Sequence, residues 1–295
     1  MFRRLAILLV MGTCAWTMPR ANGQERPVIV TSFTVIQDWS HHIGGKEFTI
    51  VNLIPARSEA HGYQLNPDNA RQLRRADLIV GMSPLLEPWL NDWAKANAKQ
   101  NDVLWLLPEA KHDHEHGEEE NPHAWIDPTE VRKMLTRLAG KMGKVRPGID
   151  TQANLNQYLK EVDRVDAELG RLFAGLKPER RSFISQHANL HYFAQRYGLS
   201  VAGTILSSGS AESADPSVRH FSALLTLIRE RKIRVIVTDA GQNDAFARRL
   251  TEDSGLNPPL PLSFEYLEPP GQPGDTWASM MLLNGRRLHQ ALETR

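Results

Sequence analysis

From residue 149 to residue 176 apolar side chains return every three or four positions, at Leu155, Leu159, Val162, Val165, Leu169 and Leu172. Charged residues fill the gaps, no proline interrupts, and the first glycine, Gly170, comes late. This is the period of an amphipathic α-helix, and at 1.5 Å per residue such a helix is about 40 Å long. That is the span of a domain, so the segment predicts a rigid spine and not a flexible linker. Both flanks of it alternate strand and helix. Before it, apolar β-branched runs predict strands at 28–33, 48–54, 77–80 and 103–107, with helices at 35–43, 66–75, 84–98 and from Pro128 onward. After it, strands are expected at 182–185, 199–204, 233–238 and 260–264, with helices through 193–197, at 216–231, at 245–254 and at 276–292. Two such runs separated by one long helix define an α/β protein of two lobes with mainly parallel sheets. The cleft between the lobes is the default ligand site. The expected boundaries are 24–145 for the first lobe, 146–177 for the spine and 178–295 for the second lobe.

Residues 1–23 stand outside this pattern. Arg3 and Arg4 precede an apolar run to Trp16, and Ala21-Asn22-Gly23 offers small residues where a signal peptidase reads, so cleavage near Gly23–Gln24 and export of a soluble mature protein are expected. The alternative is acylation at Cys14, to which Met11-Gly12-Thr13 is a poor approach. Cys14 is the chain's only cysteine, and cleavage after Gly23 leaves imidazole and carboxylate as the strong metal ligands. A net charge of +1 without a run of lysine or arginine argues against a nucleic-acid surface.

The densest chemistry lies at 112–128. His112, His114 and His116 alternate with Asp113 and Glu115 in a His-rich loop at 111–120, a set of donors that suits zinc and its neighbours. His123 is of another kind, because Pro122 before it restrains the backbone and Ala124-Trp125-Ile126 after it asks to be packed. His61 follows the second expected strand, at the carboxyl end where open α/β sheets bind ligands. His187 follows the first strand of the second lobe, and Glu265 the last. Three imidazoles and a carboxylate form a sound tetrahedral set for a divalent transition metal. Their spacing does not establish a site by itself, and the compact His-Glu-x-x-His of a zinc hydrolase is absent from the sequence.

Three ordered stretches carry a resemblance: Ile54-Pro55-Ala56-Arg57-Ser58-Glu59-Ala60-His61-Gly62-Tyr63, Asn121-Pro122-His123-Ala124-Trp125-Ile126-Asp127-Pro128, and Ser185-Gln186-His187 running into Tyr192-Phe193-Ala194-Gln195-Arg196-Tyr197-Gly198-Leu199. Asp215-Pro216-Ser217, residues 233–239 and Gly274-Asp275-Thr276-Trp277 through Met280-Met281 to Asn284 support it. Together they resemble the solute-binding proteins of zinc and manganese ABC transporters, the high-affinity zinc uptake type, over nearly all of the chain beyond the leader. The resemblance implies the metal-type periplasmic binding protein fold, with His61, His123 and His187 as nitrogen ligands and a histidine at 187 more like the zinc members. Counting back from Trp277 puts Glu265 on the acidic position, whereas matching the strand puts Ser263 there; Glu59 or water are the remaining alternatives. Zn2+ is then the cargo, with Mn2+ the alternative, and the partners are an ABC permease and a periplasmic zinc chaperone, the protein itself being a monomer. His112, His114 and His116 become an accessory collector near the cleft. Capture needs neutral imidazoles, so affinity should fall as pH drops through the histidine range near ~6.5. A closed four-ligand site leaves no position for chemistry, and no enzyme is expected; a zinc hydrolase with Glu59 or Glu265 as general base is the rival. Asn189-Leu190-His191 departs from the family's usual Ala, Phe and Gly. His191, four residues after His187, would share its face on a continuous helix.

Overall fold

The computed structural model describes residues 25–58, 60–107, 121–206 and 217–294. The leader with Cys14, Glu59, the His112–His116 tract and Pro216 therefore lie outside the described residues.

The first sheet is built from β1 (Val28–Thr31), β2 (Thr49–Asn52), β3 (Leu78–Gly81) and β4 (Val103–Trp105), all parallel, in the order β2-β1-β3-β4. The second repeats that wiring with β5 (Ser182–Ser185), β6 (Ser200–Thr204), β7 (Ile236–Asp239) and β8 (Leu260–Leu262), in the order β6-β5-β7-β8. Val, Ile and Leu fill the central strands because helices cover both faces of a parallel sheet; β3 and β7 are buried throughout. Around the first sheet run α1 (Thr34–Gly44), α2 (Pro67–Arg75), α3 (Pro88–Ala96) and α4 (Pro128–Val145). Then come the spine α5 (Thr151–Ala174), α6 (His191–Arg196), α7 (Val218–Arg231), α8 (Ala245–Ser254) and α9 (Trp277–Thr294).

Local chemistry explains most helix starts. The Asn66 side chain accepts from the amides of Asp68 and Asn69, and the Asn69 side chain returns to the Asn66 amide, a reciprocal cap followed by Pro67. Asp127 accepts from the Thr129 amide at 2.8 Å and opens α4. One expectation needs correcting, since the helix foreseen at 84–98 begins only at Pro88. Glu87 folds its carboxylate back onto the amides of Met82 and Ser83, and Ser83 Oγ accepts from the Leu86 amide, so 83–87 is spent on a polar turn.

The spine has 24 residues, about 36 Å at 1.5 Å per residue. It buries Leu155, Tyr158, Val162, Val165, Leu169 and Phe173, so Tyr158 and Phe173 take the inner places that periodicity gave to Leu159 and Leu172. Its first half meets the first lobe, where Asn154 donates to the Ile43 carbonyl at 2.8 Å and Thr151 to that of Ala139 at 3.0 Å. Its second half meets α9: Glu168 pairs with Arg286, and Leu169 packs where Gly285 leaves room. One continuous core runs from Ile29 through the spine to Leu292, and a satellite cluster lies under α7 and α8. Among the described residues, no helix is long and apolar enough to cross a membrane.

Candidate metal centre

Both sheets present the carboxyl ends of their strands to the same cleft. His61 comes from the β2–α2 loop, His123 from the segment after β4, His187 from the residue pair after β5, and Glu265 from the turn after β8. One ligand atom from each lies within 4.8 Å of the others. His61 Nε2 is 2.9 Å from His123 Nε2, and Glu265 carboxylate oxygens lie 3.8 Å from His123 Nε2 and 3.7 Å from His187 Nε2. His123 and Glu265 are 4% and 5% exposed, so the carboxylate is desolvated and calls for a cation.

Each side chain is held from behind. Asn121 Oδ1 accepts from both the His123 amide (3.0 Å) and His123 Nδ1 (2.7 Å), which leaves Nε2 as the lone-pair nitrogen facing the centre. The same Asn121 donates to the Ala188 carbonyl of the other lobe at 2.6 Å. His187 Nδ1 donates to Asp239 Oδ2 at 2.6 Å, again turning Nε2 inward. This carboxylate–histidine arrangement orients metal ligands and raises their basicity. Burial holds His123 well below the ordinary imidazole value, and the neighbouring rings of His61, His187 and His191 push the same way. His123 is therefore neutral, as a metal ligand must be.

The indoles tie the two lobes at this point. Trp125 Nε1 donates to the Phe264 carbonyl, and Trp277 Nε1 donates to the Trp125 carbonyl, both at 2.8 Å. The Trp125 side chain, just after His123, is thus bonded to the backbone just before Glu265, and the Trp125 backbone is bonded to the Trp277 side chain. On the His61 loop, Trp89 Nε1 donates to the Ala60 carbonyl at 3.0 Å, while Tyr63 donates to Asn69 Oδ1 at 2.8 Å. A groove of about 410 Å3 lies beside this loop, bordered by Arg57, Tyr63 and Gln64 on one side and Gln242 and Tyr266 on the other.

Of the alternatives for the fourth place, Glu265 is the acidic residue among the described ones that converges with the histidines. Ser263 is held instead by Asn284, which exchanges hydrogen bonds with its amide and carbonyl at 3.2 and 3.1 Å. His191 is not in the group, because a 3-10 turn at Ala188–Leu190 breaks the helix on which it would have shared a face with His187. Its Nδ1 bonds the Ala188 carbonyl at 2.9 Å. His42 lies against Tyr158 and His220 against the Thr204 carbonyl, both away from the cleft. Asn121, Asn189 and Asp239 were not singled out by sequence. Asn121 and Asp239 stood within quoted stretches, and Asn189 was visible only as a departure from the resemblance.

Two α/β lobes packed on one helix, with a ligand cluster between them, define a protein of the periplasmic metal-binding fold. The periplasmic zinc binding protein TroA from Treponema pallidum superposes with a TM-score of 0.81 at 20% identity over 91% of this chain and 99% of that one. An Mn-bound periplasmic metal binding protein from Candidatus Liberibacter asiaticus gives 0.77 at 19% identity, over 90% and 100%. The family model described as ZnuA, zinc-uptake complex component A periplasmic, matches residues 29–291, and the chain belongs to that family. The zinc-binding lipoprotein AdcA of Streptococcus pneumoniae is 24% identical over 97% of this chain, which spans only 60% of that relative's length. The manganese ABC transporter substrate-binding lipoprotein PsaA of Streptococcus mitis is 22% identical, over 98% of this chain and 96% of the relative.

Proposed function

We propose that this protein is a periplasmic solute-binding protein that captures Zn2+ between its lobes and delivers it to an ABC permease. The observation that carries the reading is the convergence of three imidazoles and one buried carboxylate within 4.8 Å. Imidazole-rich, sulfur-free sets with one carboxylate suit zinc better than manganese, which favours oxygen. His61, His123, His187 and Glu265 are the ligands, and the groove beside the His61 loop is the way in. Filling all four positions with protein leaves no place for a reacting water, so the role is carriage and not hydrolysis. The indole links and the spine restrict the lobes to small movements, and release goes through rearrangement of the His61 loop. His112, His114 and His116 act as a weaker collector, and a periplasmic zinc chaperone is a further partner of a monomeric protein. The domain limits that go with this reading are 24–145, 146–177 and 178–295, behind a cleaved leader at 1–23.

Metal analysis of protein taken from its own periplasm, followed by competitive titration, tests the reading. One equivalent of zinc is expected, and alanine at His61, His123 or His187 should each weaken zinc binding by orders of magnitude. The PsaA likeness supplies the rival: stoichiometric manganese with weak zinc binding would overturn the assignment of cargo. Turnover of an ester or phosphoester by the zinc-loaded protein would overturn the carrier role.

A further inference from the structure

Three of the four candidate ligands are fixed by hydrogen bonds to neighbouring side chains. Asn121 holds His123 and Asp239 holds His187, while Glu265 Oε1 accepts from Asn189 Nδ2 at 2.9 Å. His61 rides instead on the loop between β2 and α2, and it is half-buried where His123 and Glu265 are buried. Trp89 and Tyr63 bond this loop to its own lobe. Arg57 reaches the other lobe: its Nε donates to Glu268 Oε2 at 2.5 Å, a partner 211 positions along the chain. At Arg57 the backbone passes through the left-handed region, with φ at 62°, a conformation that is costly for a residue with a Cβ.

The two ends of this ion pair differ. Glu268 is the fixed one, with a side chain only 18% exposed. Its amide donates to the Gly274 carbonyl at 3.0 Å, and the Leu267 amide before it donates to Thr34 Oγ1 of the first lobe at 2.8 Å. Trp125 bonds the Phe264 carbonyl in the same segment, so residues 264–268 are tied to the first lobe at two points besides Arg57. Arg57 is the looser end, its side chain 62% exposed. When the pair breaks, the His61 loop moves and the Glu265 segment stays. Arg57 also borders the groove beside the His61 loop.

We infer that Arg57 and Glu268 are positioning residues for His61: their ion pair latches the His61 loop to the second lobe and so sets how long a captured ion stays. The inference rests on the proposed zinc site and adds to it the contact that must break for release. An exposed ion pair contributes little to stability and weakens with salt. A latch that opens in every cycle of delivery needs a bond of that kind, and its effect on release is about two- to fivefold.

The test times the release of zinc from the whole leaderless protein into excess chelator, for wild type, Arg57→Gln, Glu268→Gln, the double variant, and the charge exchange Arg57→Glu with Glu268→Arg. Each single variant should release zinc about two- to fivefold faster. The double variant should be no faster than either, because both substitutions remove the same bond, and the charge exchange should restore slow release. Added salt should quicken release from wild type and leave Arg57→Gln unchanged. Amides of the His61 loop should exchange with deuterated water sooner in the single variants while those of the spine keep their rate, a difference that a general loss of stability would not produce. Unchanged release in both single variants overturns the inference, and so does a double variant that shows the product of the two single effects. Wild-type protein that takes up no zinc in one-to-one amount instead overturns the proposed site itself. Loop exchange in the metal-free protein, quickened or not by Arg57→Gln, then still decides whether the pair holds the loop.

Discussion

At the scale of single residues, the candidate site depends on hydrogen bonds made on the side away from the cleft. Asp239 bonds His187 Nδ1 at 2.6 Å and is the clearest case. Asp239→Asn keeps the shape but can present its NH2 to Nδ1, which favours the wrong tautomer; zinc affinity should drop about 10- to 100-fold, read by chelator competition. Glu87 is a different kind of buried acid. Burial raises its carboxyl from 4.5 to about 7, against the opposing pull of hydrogen bonds from Ser32, Met82 and Ser83. The fold therefore keeps a proton that the unfolded chain releases above 4.5, and the stability linked to it is lost as pH rises through about 7. Glu87→Gln can donate to Ser32 and accept from the two amides without that charge. Urea unfolding of the metal-free protein at pH 5 and pH 8 should show a smaller loss of stability in the variant than in wild type; an equal loss would contradict this account. The three histidines were legible in the sequence because each sits in a motif, and Glu265 was reached by counting from Trp277. The partners of those residues were not legible: Asn189 bonds residues 50 and 76 positions away, and only the fold brings them together.

At the scale of elements, apolar period located the helices well and polar turns decided where they began. The start of α3 was misplaced because no periodicity records that Glu87 would cap its own preceding turn. The spine was found by its period, yet two of its inner places went to aromatic residues, Tyr158 and Phe173, which the count of aliphatic positions passed over. Its junction with α9 is tight. A Cβ added at Gly285 would come within 2.4 Å of Leu169 Cδ2, and Leu169 is fully buried. Gly285→Ala should gain about 1 kcal/mol of helix propensity and lose about 1–3 kcal/mol to overpacking. The net expectation is a lower melting temperature, and a rise would show that the spine yields there. On the accessory tract, deletion of residues 112–120 should leave one tight zinc site and remove only weaker binding in a titration. Loss of the tight site would reverse the division between His123 and the tract.

For the whole molecule, the two-lobe architecture was readable because strand–helix alternation stops at the spine and starts again after it. What could not be read was that the lobes share a core, since long-range packing leaves no local signature. Zinc bound to the folded form alone should raise the melting temperature in proportion to the logarithm of free zinc, by about 2.7 kcal/mol of stabilisation at a hundredfold excess over Kd. His123→Ala should lose most of that rise. The shared core has a further consequence for how the chain breathes. Neither half can come apart while the other stays intact, so amides of the spine should exchange with deuterated water only as fast as the entire protein opens. The satellite cluster under α7 and α8 is separate from that core and should exchange sooner. A protease that waits for the chain to open would therefore find its first foothold at α7 and α8 of the second lobe, before the spine gives way.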